Sequence, residues 1–120
     1  MKVISTETAP AAIGPYSQAI VTNGLVFASG QIPVDPATGA PAGDTIDTQA
    51  EQSCKNVAAI LAAAGSDMTK VVKTTCFLAD MADFAKFNEK YFVSCPARSC
   101  VAAKALPKGV LCEIEAIAEL

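Results

Sequence analysis

The stretch "VLCEIEAIA", residues 110–118, alternates apolar side chains with larger or charged ones. Such alternation is typical of a β-strand, whose successive side chains point to opposite faces of a sheet. One face is wholly apolar and consists of Val110, Cys112, Ile114, Ala116 and Ala118. The other consists of Leu111, Glu113, Glu115 and Ile117. The pattern predicts a sheet with one face packed under helices and the other left uncovered.

The residues before this strand predict two more strands and a long helix. Two short apolar runs flank Asn23 and Gly24, a pair that favours the tight turn of a β-hairpin. Residues 31–44 hold three prolines and two glycines, which indicates a loop. Thr48 and Glu51 have the spacing of a capping box, so we expect a helix to begin there and to end at Gly65.

A strand over 70–78 and a second helix capped by Asp80 come next, followed by the strand "RSCVA", 98–102. The side chains that recur at helical spacing in the second helix are Phe84, Phe87, Asn88 and Tyr91. The order of elements is then β-β-α-β-α-β-β. Two helices suffice to cover one face of a sheet of this size. We therefore expect a single α+β domain over residues 1–120, with one mixed sheet and both helices on the same face.

The composition predicts an assembly of several copies. Apolar residues make up 52% of the chain and charged residues 18%, against about 25% charged in a typical soluble domain. A monomer rarely exposes a large apolar patch, so we expect the uncovered sheet face to pack against other copies of the chain. The net charge of −3 and the scattered lysines argue against nucleic acid as a partner, since phosphate backbones require a basic surface.

The sequence also favours a cytoplasmic protein without a metal. Its opening residues lack the apolar core of a secretory signal, and the longest apolar run is too short to span a membrane. The five cysteines form no C-x-x-C pair, and no histidine is present. Such cysteines are typical of reduced thiols in a reducing compartment, and metal ligation would require clustered Cys or His.

Arg98 is the one arginine of the chain, beside eight lysines. Its planar guanidinium can bind a carboxylate through two parallel hydrogen bonds, which a lysine cannot do. Arg98 and Cys100 share one face of their strand. If Arg98 and Glu113 both point to the uncovered sheet face, a subunit interface would enclose them in a cleft. The alternative is that these two residues form a structural ion pair between subunits.

The absence of histidine restricts the choice of a general base to a carboxylate, a cysteine, a lysine or a tyrosine. Glu113, half-buried and with a raised pKa, is the favoured candidate. Ser29 has no histidine to activate it, so chemistry of the Ser-His-Asp type is excluded. Tyr16, after a Gly-Pro turn, could line a cleft or belong to the core. Asn88 could bind a ligand or make a structural hydrogen bond.

Four stretches resemble the reactive-intermediate deaminase family, RidA/YjgF: "APAAIGPYSQAI", "ASGQIPVDPATG", "VVKTTCFLADMADFAKFN" and "PARSCVAAKALPKGVLCEIEAIA". The resemblance implies a chorismate-mutase-like subunit in a homotrimer, with a site at each interface and no cofactor. It further implies hydrolysis of 2-imino acids and their enamine tautomers, such as 2-iminobutanoate and 2-iminopropanoate, to 2-oxo acids and ammonia. Carried over, the catalytic pair falls on Arg98 and Glu113. The other cleft positions fall on Tyr16, Ser29, Gly30, Asn88 and Cys100.

Two other functions remain open at this point. A trimer of the same fold could bind a small carboxylate through Arg98 without catalysis, as a regulator. A role in translation inhibition or RNA cleavage is attached to some relatives. The chain also departs from the family between Asn88 and Pro96, where it is about seven residues, or about two helical turns, shorter.

Overall fold

The computed structural model describes residues 1–91 and 93–120, which form two α-helices and one sheet of six strands. The strands are β1 (Lys2–Ile4), β2 (Ala19–Thr22), β3 (Leu25–Gln31), β4 (Val71–Leu78), β5 (Ala97–Ala102) and β6 (Cys112–Glu119). The helices are α1 (Ile46–Ala63) and α2 (Phe84–Lys90). The predicted order of elements is confirmed, with β1 as an additional strand that three residues were too short to indicate.

The strands lie in the order β1-β2-β3-β6-β4-β5, and β4 and β5 run parallel while all other neighbours are antiparallel. The expected mixed α+β sheet is therefore confirmed. The turn between β2 and β3 places Asn23 and Gly24 at φ 49° and 75°, the left-handed region that a tight hairpin turn requires. The last strand of the chain is internal to the sheet, whereas β5 forms one of its edges.

The burial of side chains along β6 follows the alternation that the sequence predicts. Its even-numbered side chains, Cys112 to Ala118, are buried under the helices. Glu113, Glu115 and Ile117 lie on the opposite face. Phe27 and Val101 are 41% and 48% exposed and pair with Ile117 and Phe77 on that same face. This face, which we call the open face, carries large apolar side chains that the elements of residues 1–91 and 93–120 leave exposed.

The first helix begins three residues earlier than the capping box predicts. Its N-cap is Thr45, whose hydroxyl oxygen accepts a hydrogen bond from the backbone N–H of Thr48. The assignment of the cap to Thr48 is therefore wrong. Ile46 is buried, and its packing extends the helix to the earlier threonine. At the other end the helix stops where Gly65 adopts φ 87°, as expected for a glycine that terminates a helix.

Two buried polar residues of α1 connect the helix to the end of β3 and to the start of β6. The side chain of Gln49 accepts a hydrogen bond from the N–H of Leu111 at 2.7 Å. The side-chain amide of Asn56 donates to the carbonyls of Ile32 at 3.1 Å and Val34 at 2.9 Å. Buried polar groups that are fully paired fix the relative positions of the elements that they join. The start of β6 and the end of β3 are thus held on the same helix.

The second helix is short. Asp80 caps the 3-10 turn Met81–Asp83 that leads into it, and the helix proper ends at Lys90, well before Pro96. Of the segment between Asn88 and Pro96, which the sequence comparison predicts to be shorter than in the family, Phe92 lies outside the described residues. In the part of the chain that is described, no helix is long and apolar enough to cross a membrane.

Candidate functional site

Glu113 lies on the open face of β6, next to an irregularity in β3. Between the pairs Ala28–Ala116 and Gln31–Ile114, β3 has one residue more than β6. The two bulged residues are Ser29 and Gly30. A β-bulge of this kind bends the strand and redirects the side chains around it.

Gly30 allows the Glu113 carboxylate to lie directly on the backbone of β3. A Cβ atom at this position would be 2.6 Å from Oε2 of Glu113 and 2.9 Å from its carboxyl carbon. Both distances are too short for a side chain at position 30 while the carboxylate keeps its place. The glycine therefore determines where the carboxylate can be.

Ser29 has a structural hydrogen bond. Its hydroxyl donates to the carbonyl of Ser17 at 2.6 Å, and its backbone N–H donates to the carbonyl of Gln18 at 2.9 Å. The serine thus joins the bulge to the residues that enter β2. Because the hydroxyl hydrogen is used in this way, Ser29 holds the strand in place and is not poised as a nucleophile.

The segment that carries Tyr16 is fixed by a buried glutamine. The side chain of Gln18, 4% exposed, accepts from the N–H of Thr6 at 2.7 Å and donates to the carbonyl of Pro10 at 2.8 Å. Tyr16 itself is half-exposed. It shares with Gly30 and Glu113 a groove of about 950 Å³. We call this groove, with those three residues, the glutamate half-site.

The environment of Glu113 changes its acidity. Burial raises the pKa of its carboxyl above the ordinary value, and the negative charge of Glu115 on the same strand raises it further. Desolvation and a like charge both disfavour the ionised form. A larger fraction of Glu113 is therefore protonated near neutral pH than of an exposed glutamate, as suits a group that exchanges protons.

Arg98 lies on edge strand β5, two strands away from β6, and its side chain faces α2. Its Nη1 donates to Oδ1 of Asn88 at 2.9 Å. The guanidinium carbon lies 5.4 Å from the centre of the Phe84 ring and 5.0 Å from that of Tyr91. Within the described residues no carboxylate oxygen lies within 4.0 Å of the guanidinium. We call Arg98 with these three neighbours the arginine half-site.

The two half-sites do not meet within one subunit. Arg98 pairs in register with Thr74, which is buried on the helix-covered face. Glu113 pairs with Phe77 on the open face. The expectation that Arg98 and Glu113 share the uncovered face is therefore wrong. Besides lying on opposite faces, they belong to strands that are separated by β4 and are therefore about 10 Å apart. They also lie at different heights, since Arg98 is level with Ala116 and not with Glu113.

Cys100 lies beside Arg98 on the helix-covered side of β5, in register with Cys76. It is only partly buried, and burial raises the pKa of its thiol, with a smaller opposite effect from Arg98. A thiol with a raised pKa is mostly protonated at neutral pH and is a poor nucleophile. Cys100 can therefore shape the arginine half-site rather than react. Across residues 1–91 and 93–120, no group of three His, Cys, Asp or Glu side chains is placed to hold a metal ion.

Sequence reasoning missed the roles of three residues at the half-sites. Phe84 and Tyr91 were expected only to share the apolar side of a helix, and Gln18 received no role. Gln18 follows Ser17 and stands directly before the apolar run 19–21, so no pattern in the sequence identifies it. The position of Asn88 between two aromatic residues on one helical stripe could have indicated that all three face a common cation.

Comparison with known proteins finds relatives over almost the whole chain. The model of the family described as endoribonuclease L-PSP matches residues 6–120. A Salmonella typhimurium protein named 2-iminobutanoate/2-iminopropanoate deaminase is 53% identical over 124 residues, covering 98% of this chain and 96% of the relative. A Lactococcus lactis protein named as a regulator, AldR, is 55% identical over 124 residues, covering 100% of this chain and 98% of the relative.

A solved structure shows the same architecture. The crystal structure of Escherichia coli TdcF with bound serine has a TM-score of 0.95 and 46% sequence identity, and the match covers 100% of this chain and 98% of TdcF. One sheet of this topology under two helices is thus a fold shared with an established group of proteins. The chain belongs to the RidA/YjgF family, as its motifs indicate.

Proposed function

We propose that this protein is a hydrolytic deaminase that converts 2-imino acids and their enamine tautomers to 2-oxo acids and ammonia. The preferred substrates would be 2-iminobutanoate and 2-iminopropanoate, the compounds in the name of the Salmonella typhimurium relative. The observation that carries the proposal is the state of Arg98. The single arginine of the chain is half-buried, held by neutral groups, and has no carboxylate partner in the described part of the subunit.

Arg98 would bind the carboxylate of the substrate. A guanidinium has five N–H donors, of which the bond to Asn88 uses one. The remaining donors can form two parallel bonds to a carboxylate. A charge-assisted pair of this kind fixes both the position and the plane of the substrate. The chain has no second arginine that could replace it.

The complete site would require a second copy of the chain. Because Arg98 and Glu113 lie on opposite faces of the sheet, neither can reach a small substrate that is bound by the other within one subunit. Edge strand β5 and the apolar open face are both available for contact with another copy. A homotrimer in which the arginine half-site of one subunit faces the glutamate half-site of the next would bring the two together.

The reaction needs one bound water and one proton-exchanging group. Ionised Glu113 would take a proton from a water as its oxygen attacks the carbon of the protonated imine, which gives a carbinolamine. The protonated carboxyl would then return this proton to the amino nitrogen. Cleavage of the carbon–nitrogen bond releases ammonia and, after loss of the hydroxyl proton, the 2-oxo acid. Imines hydrolyse readily in water, so positioning together with one acid/base group would suffice for a useful acceleration.

The other cleft residues would shape the site. Tyr16 and Cys100 would line it from the two half-sites, Ser29 and Gly30 would set the position of Glu113, and Asn88 would hold Arg98. None of these steps requires a cofactor. Cys76, Cys95, Cys100 and Cys112 are free thiols, which supports a reducing compartment and hence the cytoplasm as the location.

The substitution Arg98→Lys tests this function. Lysine keeps the positive charge and loses the two parallel hydrogen bonds. The assay couples a threonine dehydratase, which forms 2-iminobutanoate, to semicarbazide, which traps the imine as a semicarbazone. Wild-type protein should slow semicarbazone formation, whereas the variant should need about 10- to 100-fold more protein for the same effect. Equal activity of the two proteins would contradict the role of Arg98, and an inactive wild type would contradict the function itself.

The name of the Lactococcus lactis relative supports one alternative, a regulator that binds a small carboxylate through Arg98 without catalysis. In that case the wild type would bind 2-oxobutanoate but would not change semicarbazone formation. Glu113→Ala would leave the affinity intact. The same two measurements therefore separate the enzyme from the regulator.

The description of the matched family model raises the question of RNA cleavage. The acidic net charge and scattered lysines of this chain support the proposal that nucleic acid is not a partner. We expect the protein not to bind single-stranded RNA even at low salt. Binding that weakens steeply with added salt would contradict it.

A further inference from the structure

The guanidinium of Arg98 is surrounded by neutral groups that take no part in the proposed proton transfers. Asn88 accepts a hydrogen bond from it, and the centres of the Phe84 and Tyr91 rings lie 5.4 Å and 5.0 Å from its central carbon. The negative face of an aromatic ring attracts a cation, and this attraction grows when the cation is partly removed from water. The rings therefore stabilise the charge without neutralising it, which leaves the guanidinium available to an anion.

All three groups come from α2 and the residue that follows it. Phe84 and Asn88 lie four residues apart on one face of α2, and Tyr91 is its C-cap, directly after Lys90. The three side chains face β5, where Arg98 is the residue in contact. Phe87 belongs to the same helix but is fully buried in the core, with its ring 5.7 Å from that of Tyr91.

The Tyr91 ring is anchored at its far end. Its hydroxyl lies 2.6 Å from the Oγ1 of Thr74, a residue of β4 that is 1% exposed and is paired in register with Arg98 itself. Burial raises the pKa of Tyr91, so its hydroxyl remains neutral and able to donate. The ring is thus fixed by the strand that lies directly beside the arginine.

From these contacts we infer that Phe84 and Tyr91, with Tyr91 anchored by Thr74, are positioning residues that hold the Arg98 guanidinium in one orientation for the substrate carboxylate. This inference rests on the proposed function only where it predicts an effect on deaminase activity. The immobilisation of the guanidinium can be measured without any reaction. An arginine that is fixed before binding loses less conformational entropy when it captures its ligand.

The single arginine makes this measurement simple. In 15N-labelled protein the Nε–H of Arg98 gives the only arginine side-chain signal of that kind, so it needs no assignment by mutation. In the wild type this proton should be shifted upfield by the ring currents. The Nη hydrogens should appear as separate signals at low temperature because rotation of the group is hindered. In Tyr91→Leu the upfield shift should shrink and the Nη signals should merge.

Three further variants complete the experiment: one controls for loss of stability, and two test the hydrogen bond between Tyr91 and Thr74. Phe87→Leu removes a ring of the same helix that contacts Tyr91 but does not face the guanidinium, and it should change the Arg98 signals much less than Tyr91→Leu does. Tyr91→Phe keeps the ring but not the hydroxyl, and Thr74→Val removes the other partner of that bond. Both variants should reduce the upfield shift of the Arg98 proton to the same extent, and by less than Tyr91→Leu does. If the Arg98 signals are identical in Tyr91→Leu and the wild type, or change equally in Phe87→Leu, the inference is overturned.

Affinity for 2-oxobutanoate, the expected product, gives a second readout by calorimetry. Tyr91→Leu should bind it on the order of tenfold more weakly than the wild type, and Phe87→Leu should bind it like the wild type. In the deaminase assay the change should fall on KM rather than on kcat, since the contact acts on substrate and transition state alike. Unchanged affinity in Tyr91→Leu would overturn the inference. A wild type that holds Arg98 rigid but does not deaminate would instead reject the proposed function alone.

Discussion

The two half-sites achieve precision in different ways. At the glutamate half-site the backbone sets the geometry, because a bulge in β3 and the missing side chain of Gly30 determine where the Glu113 carboxylate can lie. At the arginine half-site other side chains set it, because Asn88 and two aromatic rings surround the guanidinium. A constraint from the backbone allows the carboxylate only one position. When several side chains surround a group, one of them can be removed while the others still hold it. Substitutions should therefore act abruptly at the first and gradually at the second.

The sharpest test of this contrast is Gly30→Ala. The added methyl group would overlap the carboxylate of Glu113, which is the flexible end of a side chain and can move away. The fold should therefore survive while the carboxylate is displaced by an ångström or more. We expect kcat/KM to fall about 100-fold, the usual effect of such a displacement of a reacting group, with the thermal midpoint nearly unchanged.

A matched control is Gly14→Ala. A Cβ at this position would meet only the Tyr16 ring, at 3.4 Å, which is an ordinary contact. Its activity should stay close to that of the wild type. Equal losses in the two variants would show that Gly30 has no special relation to Glu113 and would remove the contrast between the half-sites.

A smaller effect is expected from Glu115→Gln. In the proposed mechanism Glu113 acts as a base when ionised, so activity should fall as the pH falls through its pKa, which burial and Glu115 both raise. Removing the charge of Glu115 lowers that pKa, so the acidic limb of the kcat profile should move to lower pH. The shift should be partial, since burial is the larger cause and is unchanged. In Glu119→Gln, which lies about 20 Å from Glu113 along β6, the acidic limb should not move. A shift to higher pH in Glu115→Gln would contradict the role of Glu113 as the base.

Much of the fold could be predicted because its signals are local. The phase of β6 is readable in the sequence since helices cover one of its faces and leave the other open, and the hairpin turn follows from Asn23 and Gly24 alone. The start of α1 was less certain, because Thr45 and Thr48 are both good caps and only the burial of Ile46 decides between them.

The face on which Arg98 lies could not be predicted in the same way. Strand β5 is at the edge of the sheet, and its side chains are exposed or half-exposed on both faces. Cys100 and Val101 are similarly apolar, so alternation separates the two sets of side chains without showing which set faces the helices. That information is tertiary, and it comes from the pairing of β5 with β4 and from the contact with α2.

The central claim is that Arg98 and Glu113 act together from different copies of the chain. The most direct test mixes two inactive variants, Arg98→Ala and Glu113→Ala, after unfolding and joint refolding, and measures deaminase activity. If each site takes its arginine from one subunit and its glutamate from the next, random assembly leaves about one quarter of the sites intact, and about that share of wild-type activity should return. If both residues act within one subunit, no mixed assembly contains an intact site, and a mixture as inactive as its components would contradict the account.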